Sequence, residues 1–277
     1  MTQNRSTLGI IAGKGNLPAQ LIKHCKDNAR PFFVLAFEES FDAAVMTGVP
    51  HAVVRIGAVG EALNHLRKAG VKEIVMAGGI KRPALTSLKP DAAGSKLLKK
   101  IGLAIFGGDD ALLKAITSFF EEENFTVVGV DQILKNIVAP AGIMGNITPD
   151  KNSMADIMLG MREAKNLGAL DIGQAVIIEN GKVLATENAE GTDAMIISCA
   201  KLRGDSPKGG VLIKAKKPGQ EERADLPSIG VQTIETLHKA GLCGVAVEAG
   251  ASLIIDRDEV IKKANEYAIF VIGIEYE

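Results

Sequence analysis

The segment 208–230, KGGVLIKAKKPGQEERADLPSIG, packs four lysines, one arginine and three carboxylates around a short apolar stretch. Lys214 and Lys216 stand two residues apart, so on a strand both point to one face, with Ile213 and Ala215 on the other. Pro218 ends the strand pattern, Asp225 follows on a stretch closed by Pro227, and Gly230 leads into the helical pattern VQTIETLHKA. Asp225 could therefore converge with Lys214, Lys216 and Lys217 on an anionic phosphate, with Gln220 and Arg223 alongside. An edge strand kept soluble by lysine would use the same residues, with Arg223 and Asp225 as ordinary surface charges.

Further acids extend this chemistry. Glu190-Gly191-Thr192-Asp193 immediately precedes a helical run carrying Met195 and Ile196, where either Thr192 or Asp193 can serve as a simple cap. Asp171 stands just before Gly173 and Gln174. Beside a row of lysines, Asp171, Asp193 and Asp225 are the raw material of a metal-assisted phosphate site. Two like charges about 4 Å apart repel by roughly 4 kcal/mol at an effective dielectric of ~20, so Asp225 beside a diphosphate needs a divalent cation or several lysines between them.

Two glycine turns offer a second kind of anion site. GKGNLP at 13–18 follows the apolar run LGIIA, which ends at Ala12, and opens a helical pattern. The backbone N–H groups of Gly13, Gly15 and Asn16 and the positive end of the helix would face an anion placed there. Gly78 and Gly79 follow the run KEIVMAG and precede Lys81, Arg82 and Pro83. Both turns fall at the carboxyl ends of parallel strands, where open α/β sheets bind ligands. Pro18 replaces the last glycine of a dinucleotide fingerprint and there is no GK[ST], so a tight turn without a ligand is the alternative. Glu38 and Glu39 lie close enough to the second strand to keep a dinucleotide reading open. Gly107-Gly108-Asp109-Asp110 reads as a glycine turn with acids at a helix start.

The elements that must position these residues follow from hydrophobic periodicity. LGIIA at 8–12, FFVLAF at 32–37, HAVVRI at 51–56 and KEIVMAG at 72–78 alternate with the amphipathic runs PAQLIKHCKDNA and GEALNHLRKAG, predicting a parallel sheet flanked by helices. A looser stretch near 80–105 precedes a helix capped by Asp109, DALLKAITSFFEEEN, and a buried strand TVVGV at 126–130. Residues 1–135 thus form a Rossmann-like domain, 136–150 a linker rich in Gly, Pro and Asn, and 151–277 a smaller mixed α/β domain. In the second domain a helix over 153–167 ends at Gly168, Asn180-Gly181 marks a hairpin, and TDAMIISCAKL is helical. The lysine strand, a helix at 231–240, strands VAVEA and SLIID, a helix from Asp258 and a strand AIFVIGI complete it.

Composition excludes several classes. The 277 residues carry a net charge of -1, no Trp and two Tyr, which argues against nucleic-acid binding. No apolar run reaches the ~18 residues of a membrane span and the N-terminus lacks an apolar signal core, which points to the cytoplasm. Cys25, Cys199 and Cys243 sit in apolar patterns and read as core thiols. His24, His51, His65 and His238 are scattered without HExxH spacing, and no GxSxG occurs.

IAGKGNLP, AGGIKRP, GDDALL, MADI, LDIGQAVI, EGTDAM, LIKAKKPGQEERADLPSIGVQTI and AGLCGVAVEAG occur in an order that closely resembles the LpxI-type UDP-2,3-diacylglucosamine pyrophosphatases of lipid A synthesis. The resemblance runs end to end, with EGTDAM and the lysine block as its specific parts, while Lys14 and Gly79 are places where the family is expected to vary. It implies that the N-terminal domain holds the UDP part and the C-terminal domain the acylated glucosamine phosphate. It also implies Mg2+-dependent hydrolysis of the diphosphate to UMP and 2,3-diacylglucosamine 1-phosphate. Asp225 is the catalytic acid carried over, with Asp193 assisting the metal and Lys214, Lys216 and Lys217 neutralising phosphoryl charge. Ala12, Gly13, Gly15, Asn16, Gly78, Gly79, Arg82, Gln174, Thr192, Gln220 and Arg223 complete the expected site. Met144, Met154, Met158 and Met161 are candidates to line a receptacle for two acyl chains, or are plain core. An amphipathic substrate implies peripheral contact with the inner membrane surface, and a homodimer is open. The rivals are an NAD(P)-binding oxidoreductase and a non-enzymatic nucleotide-sugar-binding module.

Overall fold

The computed structural model describes residues 6–38, 40–80, 88–102, 109–188, 190–204 and 207–276, with the side chain of Asp109 outside that description. By its contacts the chain divides into two units, residues 1–134 with 221–225, and residues 135–220 with 226–277.

The first unit runs β1 (Thr7–Ala12), α1 (Leu17–Asp27), β2 (Phe32–Phe37), β3 (His51–Val54), α2 (Val59–Lys68), β4 (Val71–Ala77), α3 (Ala92–Ile101), α4 (Asp109–Glu122), β5 (Thr126–Val127) and α5 (Val130–Ile133). Its five strands are all parallel in the order β3-β2-β1-β4-β5, the Rossmann-like arrangement expected. The apolar runs of β1, β2 and β4 are covered on both faces, which is why they show no polar alternation. One core gathers Leu35, Leu63, Leu66, Ile74, Phe119 and Phe125. Phe119 and Phe120 on α4 are buried as the helical face requires, whereas Leu112, Leu113 and Ile116 are half-buried.

Two readings are corrected here. The stretch taken as loose contains α3, started by Asp91, whose carboxylate accepts from Gly94 N at 2.7 Å in the same helix and from Gly60 N at 2.7 Å on α2. TVVGV is a strand only over Thr126–Val127, because Gly129 turns the chain into α5.

The second unit runs β6 (Gly142–Met144), α6 (Lys151–Ala169), β7 (Ala175–Glu179), β8 (Lys182–Thr186), α7 (Thr192–Arg203), β9 (Val211–Lys214), β10 (Ser228–Ile229), α8 (Val231–Lys239), β11 (Gly244–Glu248), β12 (Leu253–Ile254), α9 (Arg257–Glu266) and β13 (Phe270–Ile274). Six strands form a mixed sheet ordered β6-β13-β11-β9-β7-β8, with β9, β11 and β13 parallel. Period two assigns its faces. Ala175, Ile177, Leu212, Val245 and Val271 pack with residues of α7, α8 and α9, and Val176, Ile178, Val211, Ile213 and Ala246 pack with Ile157, Met161 and Ala164 of α6.

Asn180 and Gly181 form the hairpin turn with φ of 52° and 73°, the left-handed pair of a type I′ turn. Asp156 on α6 accepts from both of their N–H groups, at 2.8 and 2.7 Å. α6 begins at Lys151, two residues before the expected start, and runs through Gly168 to Ala169. Gly168 packs closely on the loop after β9, where a Cβ would lie 3.1 Å from the Cα of Lys217. Within the stretch read as a linker, residues 142–144 pair antiparallel with β13, and Met144 is buried.

Cys25 and Cys199 are buried and Cys243 half-buried, and burial raises all three thiol pKa values, as core thiols require.

Candidate functional site

At the carboxyl edge of the first sheet, β1 and β4 are neighbours, and the strand order departs from them in opposite directions. That is the crevice where doubly wound sheets take ligands. Ala12 is fully buried and pairs with Ala36 and Ala77. Beyond it the two glycine turns are zipped together: Gly13 N donates to Ala77 O at 2.8 Å, Lys14 N to Gly79 O at 2.8 Å and Gly79 N to Lys14 O at 3.0 Å. A Cβ on Gly13 would lie 2.6 Å from Gly78 O, and one on Gly78, at φ 84°, 2.5 Å from Lys14 O. These two glycines are therefore explained by backbone meeting backbone.

Gly15 is different. Its φ is 100° and a Cβ would meet nothing within 4 Å, so its conformation and not its packing selects glycine. Asn16 follows without a side-chain cap bond, and α1 starts at Leu17 with Pro18 in its first turn. Gly79 likewise meets no neighbour. Arg82, Glu39, Gly107 and Gly108 lie outside the described residues, and Glu38 is exposed just after β2.

The turn that carries Asp225 belongs to this first unit. Ala224 N and Asp225 N both donate to Glu221 O at 3.0 Å, closing one helical turn over 221–225. Glu221 N donates to Asp110 Oδ1 on α4 at 2.7 Å. Arg223 grips Glu221 with two bonds of 2.8 Å and reaches Glu121 on α4 at 2.5 Å. The guanidinium holds the Glu221 carboxyl below its ordinary range, and the two glutamates hold the Arg223 pKa up. Asp225 itself is half-buried.

At the carboxyl edge of the second sheet, side chains do the building. β9 ends at Lys214, so the strand face does not extend to Lys216. Lys214 is buried and donates through Nζ to Ser228 O at 3.1 Å. Lys216 N donates to Glu248 Oε2 at 2.8 Å, and both oxygens of Glu248 accept from Lys165 Nζ at 2.7 Å. Lys217 Nζ meets Asp171 at 2.7 Å, while its N–H donates to Gln220 Oε1 at 2.9 Å. Gln220 Nε2 reaches Gln174 Oε1 at 3.4 Å.

Glu187, also buried, ties two further segments together. It accepts from Gln174 N at 2.8 Å and from the Thr192 hydroxyl. Neither Thr192 nor Asp193 caps α7. Gly191, at φ 87°, takes that position, and Asp193 is exposed in the first turn.

The structure thus brings Lys214, Lys216, Lys217, Gln174, Gln220 and Thr192 to connected parts of one unit, with Asp193 on the same unit and Asp225 on the other. Among the described residues no group of three or more His, Cys, Asp or Glu side chains gathers around a metal position. Of the methionines, Met144 and Met161 are buried core, Met154 is half-buried against the core and Met158 is exposed. Glu187, Glu248, Lys165 and Asp110 were not singled out as site residues from the sequence alone. Glu248 had a signal, a carboxylate closing the otherwise apolar run GVAVE at the ligand edge of a parallel strand.

The family model of the LpxI N-terminal domain matches residues 7–137 and that of the LpxI C-terminal domain residues 140–272. The chain belongs to the LpxI family. The motif resemblance is borne out across both LpxI domains. A relative named UDP-2,3-diacylglucosamine pyrophosphatase LpxI, from Caulobacter vibrioides, is 41% identical over 273 residues, covering 97% of each chain. The biotin carboxylase domain of the Hydrogenobacter thermophilus 2-oxoglutarate carboxylase aligns over 74% of this LpxI-family chain and 42% of its own at 13% identity. Its TM-score of 0.26 is too low to bear on the fold.

Proposed function

We propose that the chain hydrolyses the diphosphate of UDP-2,3-diacylglucosamine to UMP and 2,3-diacylglucosamine 1-phosphate, a step of lipid A synthesis. The observation that carries this reading is the end-to-end match to a relative named for that pyrophosphatase activity. The geometry supports it in kind: one unit brings two glycine turns together at a sheet edge, and the other gathers lysines at segments held by buried carboxylates.

In this reading a water oxygen attacks one phosphorus, the bridging P–O bond breaks, and the bridging oxygen leaves with the other phosphate. The water proton is released to solvent. Asp225 orients the attacking water through a carboxylate oxygen. Lys214, Lys216 and Lys217 stabilise the charge that grows on the phosphoryl oxygens, the main term in such transfers. The turn at Gly13, Gly15 and Asn16 and the neighbouring Gly78 and Gly79 hold the uridine diphosphate end.

Mg2+ takes one or two protein carboxylates together with substrate phosphates and waters. Asp225 on the first unit and Asp193 on the second are each a hard oxygen donor of the kind this cation takes, half-buried and exposed respectively. When bound, the cation supplies charge neutralisation between carboxylate and diphosphate.

No described helix is long and apolar enough to cross a membrane. Peripheral contact with the inner membrane surface from the cytoplasm, and a homodimer, belong to the same proposal.

The test is release of UMP from UDP-2,3-diacylglucosamine with Mg2+, stopped by EDTA. Asp225→Ala should abolish turnover while substrate affinity stays within a few-fold; lost affinity with unchanged turnover removes Asp225 from its role. Tight UDP binding without turnover would favour a binding module, and a nicotinamide-dependent absorbance change an oxidoreductase. Hydrolysis in 18O-labelled water shows which phosphorus is attacked.

A further inference from the structure

The turn bearing Asp225 is docked by residues more than a hundred positions away in sequence. Its first N–H, on Glu221, has a carboxylate acceptor on α4, Asp110 Oδ1 at 2.7 Å. The other oxygen of Asp110 pairs with Lys114 one helical turn on, at 2.6 Å. Arg223 adds a second tie to α4 through Glu121, twelve residues after Asp109 on the same helix. Gly129 brings a third element close, since a Cβ there would lie 3.6 Å from the Cα of Arg223.

The position of Asp110 is specific. A carboxylate in the first turn of a helix is favoured by the helix dipole without any partner, so a simple cap would need no more than that. Here the side chain reaches a backbone amide of another segment, and that amide heads the turn whose last N–H belongs to Asp225. Removing the acceptor leaves Glu221 N–H without its bond and releases the leading end of the turn.

We propose that Asp110 is a positioning residue for Asp225: its carboxylate fixes the turn 221–225 on α4 and thereby the place from which Asp225 acts. This rests on the hydrolase reading above. A displacement of about 1 Å in a reacting group can cost ~100-fold in rate, so loosening this turn falls on turnover more than on affinity.

Amide hydrogen exchange of the peptide spanning 218–226 reads the anchor without any substrate. Asp110→Ala should speed exchange there by about tenfold or more, with the rest of the first unit unchanged. In the UMP-release assay the same variant should lower kcat by about ten- to a hundredfold with KM within about threefold, the range a loosened reacting group gives. Asp110→Asn, which keeps an oxygen acceptor for Glu221 N–H, should recover most of both. Lys114→Ala, which removes only the exposed ion pair, should leave both as in the parent.

Unchanged exchange at 218–226, equal losses in Asp110→Ala and Lys114→Ala, or a loss in KM alone each overturn the proposal. A parent chain that releases no UMP overturns the hydrolase reading itself, and with it the catalytic consequence of the anchor. Accelerated exchange would then show only that the turn is tied to α4.

Discussion

The two sheet edges are built by opposite means. In the first unit the edge is made of main chain: Gly13 and Lys14 bond to the backbone of Ala77 and Gly79, and glycine is required at 13 and 78 because two loops touch. In the second unit it is made of side chains, with Glu248 and Glu187 buried under the loops they hold and lysines paired one by one to Ser228 O and Asp171. At Gly13 and Gly78 the backbone edge tolerates no added atom, and little there depends on the neighbouring side chains. A carboxylate-braced edge is sensitive above all to the loss of a charge.

The largest effect should come from the first edge. Gly78→Ala meets Lys14 O at 2.5 Å and keeps an unfavourable φ of 84°, so about 3 kcal/mol or more of stability should be lost, read as a fall in the urea midpoint. If the midpoint holds, the two turns are not rigidly zipped and the contrast fails.

Next comes Glu248→Ala. Lys165 would be left without its counter-ion and Lys216 N–H without its acceptor, costing about 3 kcal/mol in the second unit, whereas Glu248→Gln keeps the amide's acceptor and should cost less. Equal losses would show that charge is not what braces this edge.

Glu187→Ala should be milder, about 1–3 kcal/mol, as Gln174 N–H and the Thr192 hydroxyl lose one acceptor. The smallest stability effect should be that of Gly15→Ala, about 1 kcal/mol of backbone strain with no clash. Because Gly15 has no packing reason to be glycine, UDP affinity should fall there by about tenfold while the midpoint barely moves. An unchanged affinity, measured by calorimetry, would take the nucleotide away from this turn.

Acid provides a separate probe of the docked turn. Glu221 titrates below its ordinary value in the folded protein because Arg223 hydrogen-bonds it. Its contribution is present above the unfolded value of about 4.3 and is lost as pH falls through the lower folded value. Protection factors at 218–226, rates taken relative to intrinsic exchange at each pH, should therefore fall below about pH 4 ahead of those of the strand amides of β1.

How much of this was legible follows from the range of the forces involved. FFVLAF became β2 residue for residue, and the Asn180-Gly181 turn formed as its dihedral preferences require, because burial on two faces and left-handed φ are local signatures. α3 was missed because a short lysine-rich run with an internal Gly94 carries weak periodicity, although Asp91 after Pro90 announced its start. The lysine block was visible as dense charge, but its pairings were not, since Lys216 with Glu248 and Lys217 with Asp171 join residues 32 and 46 positions apart. Still less could Asp110 be matched to Glu221 across 111 positions. A capping acid and an anchoring acid look identical in a sequence.

The two family domains meet between residues 137 and 140, yet the physical first unit owns five residues from the far side of that boundary. Recombination at the boundary would therefore cut through one folded body: a chimera taking its first 137 residues from a relative would graft a foreign α4 beneath this chain's 221–225. Such hybrids should work only where the acids matching Asp110 and Glu121 travel with a compatible turn.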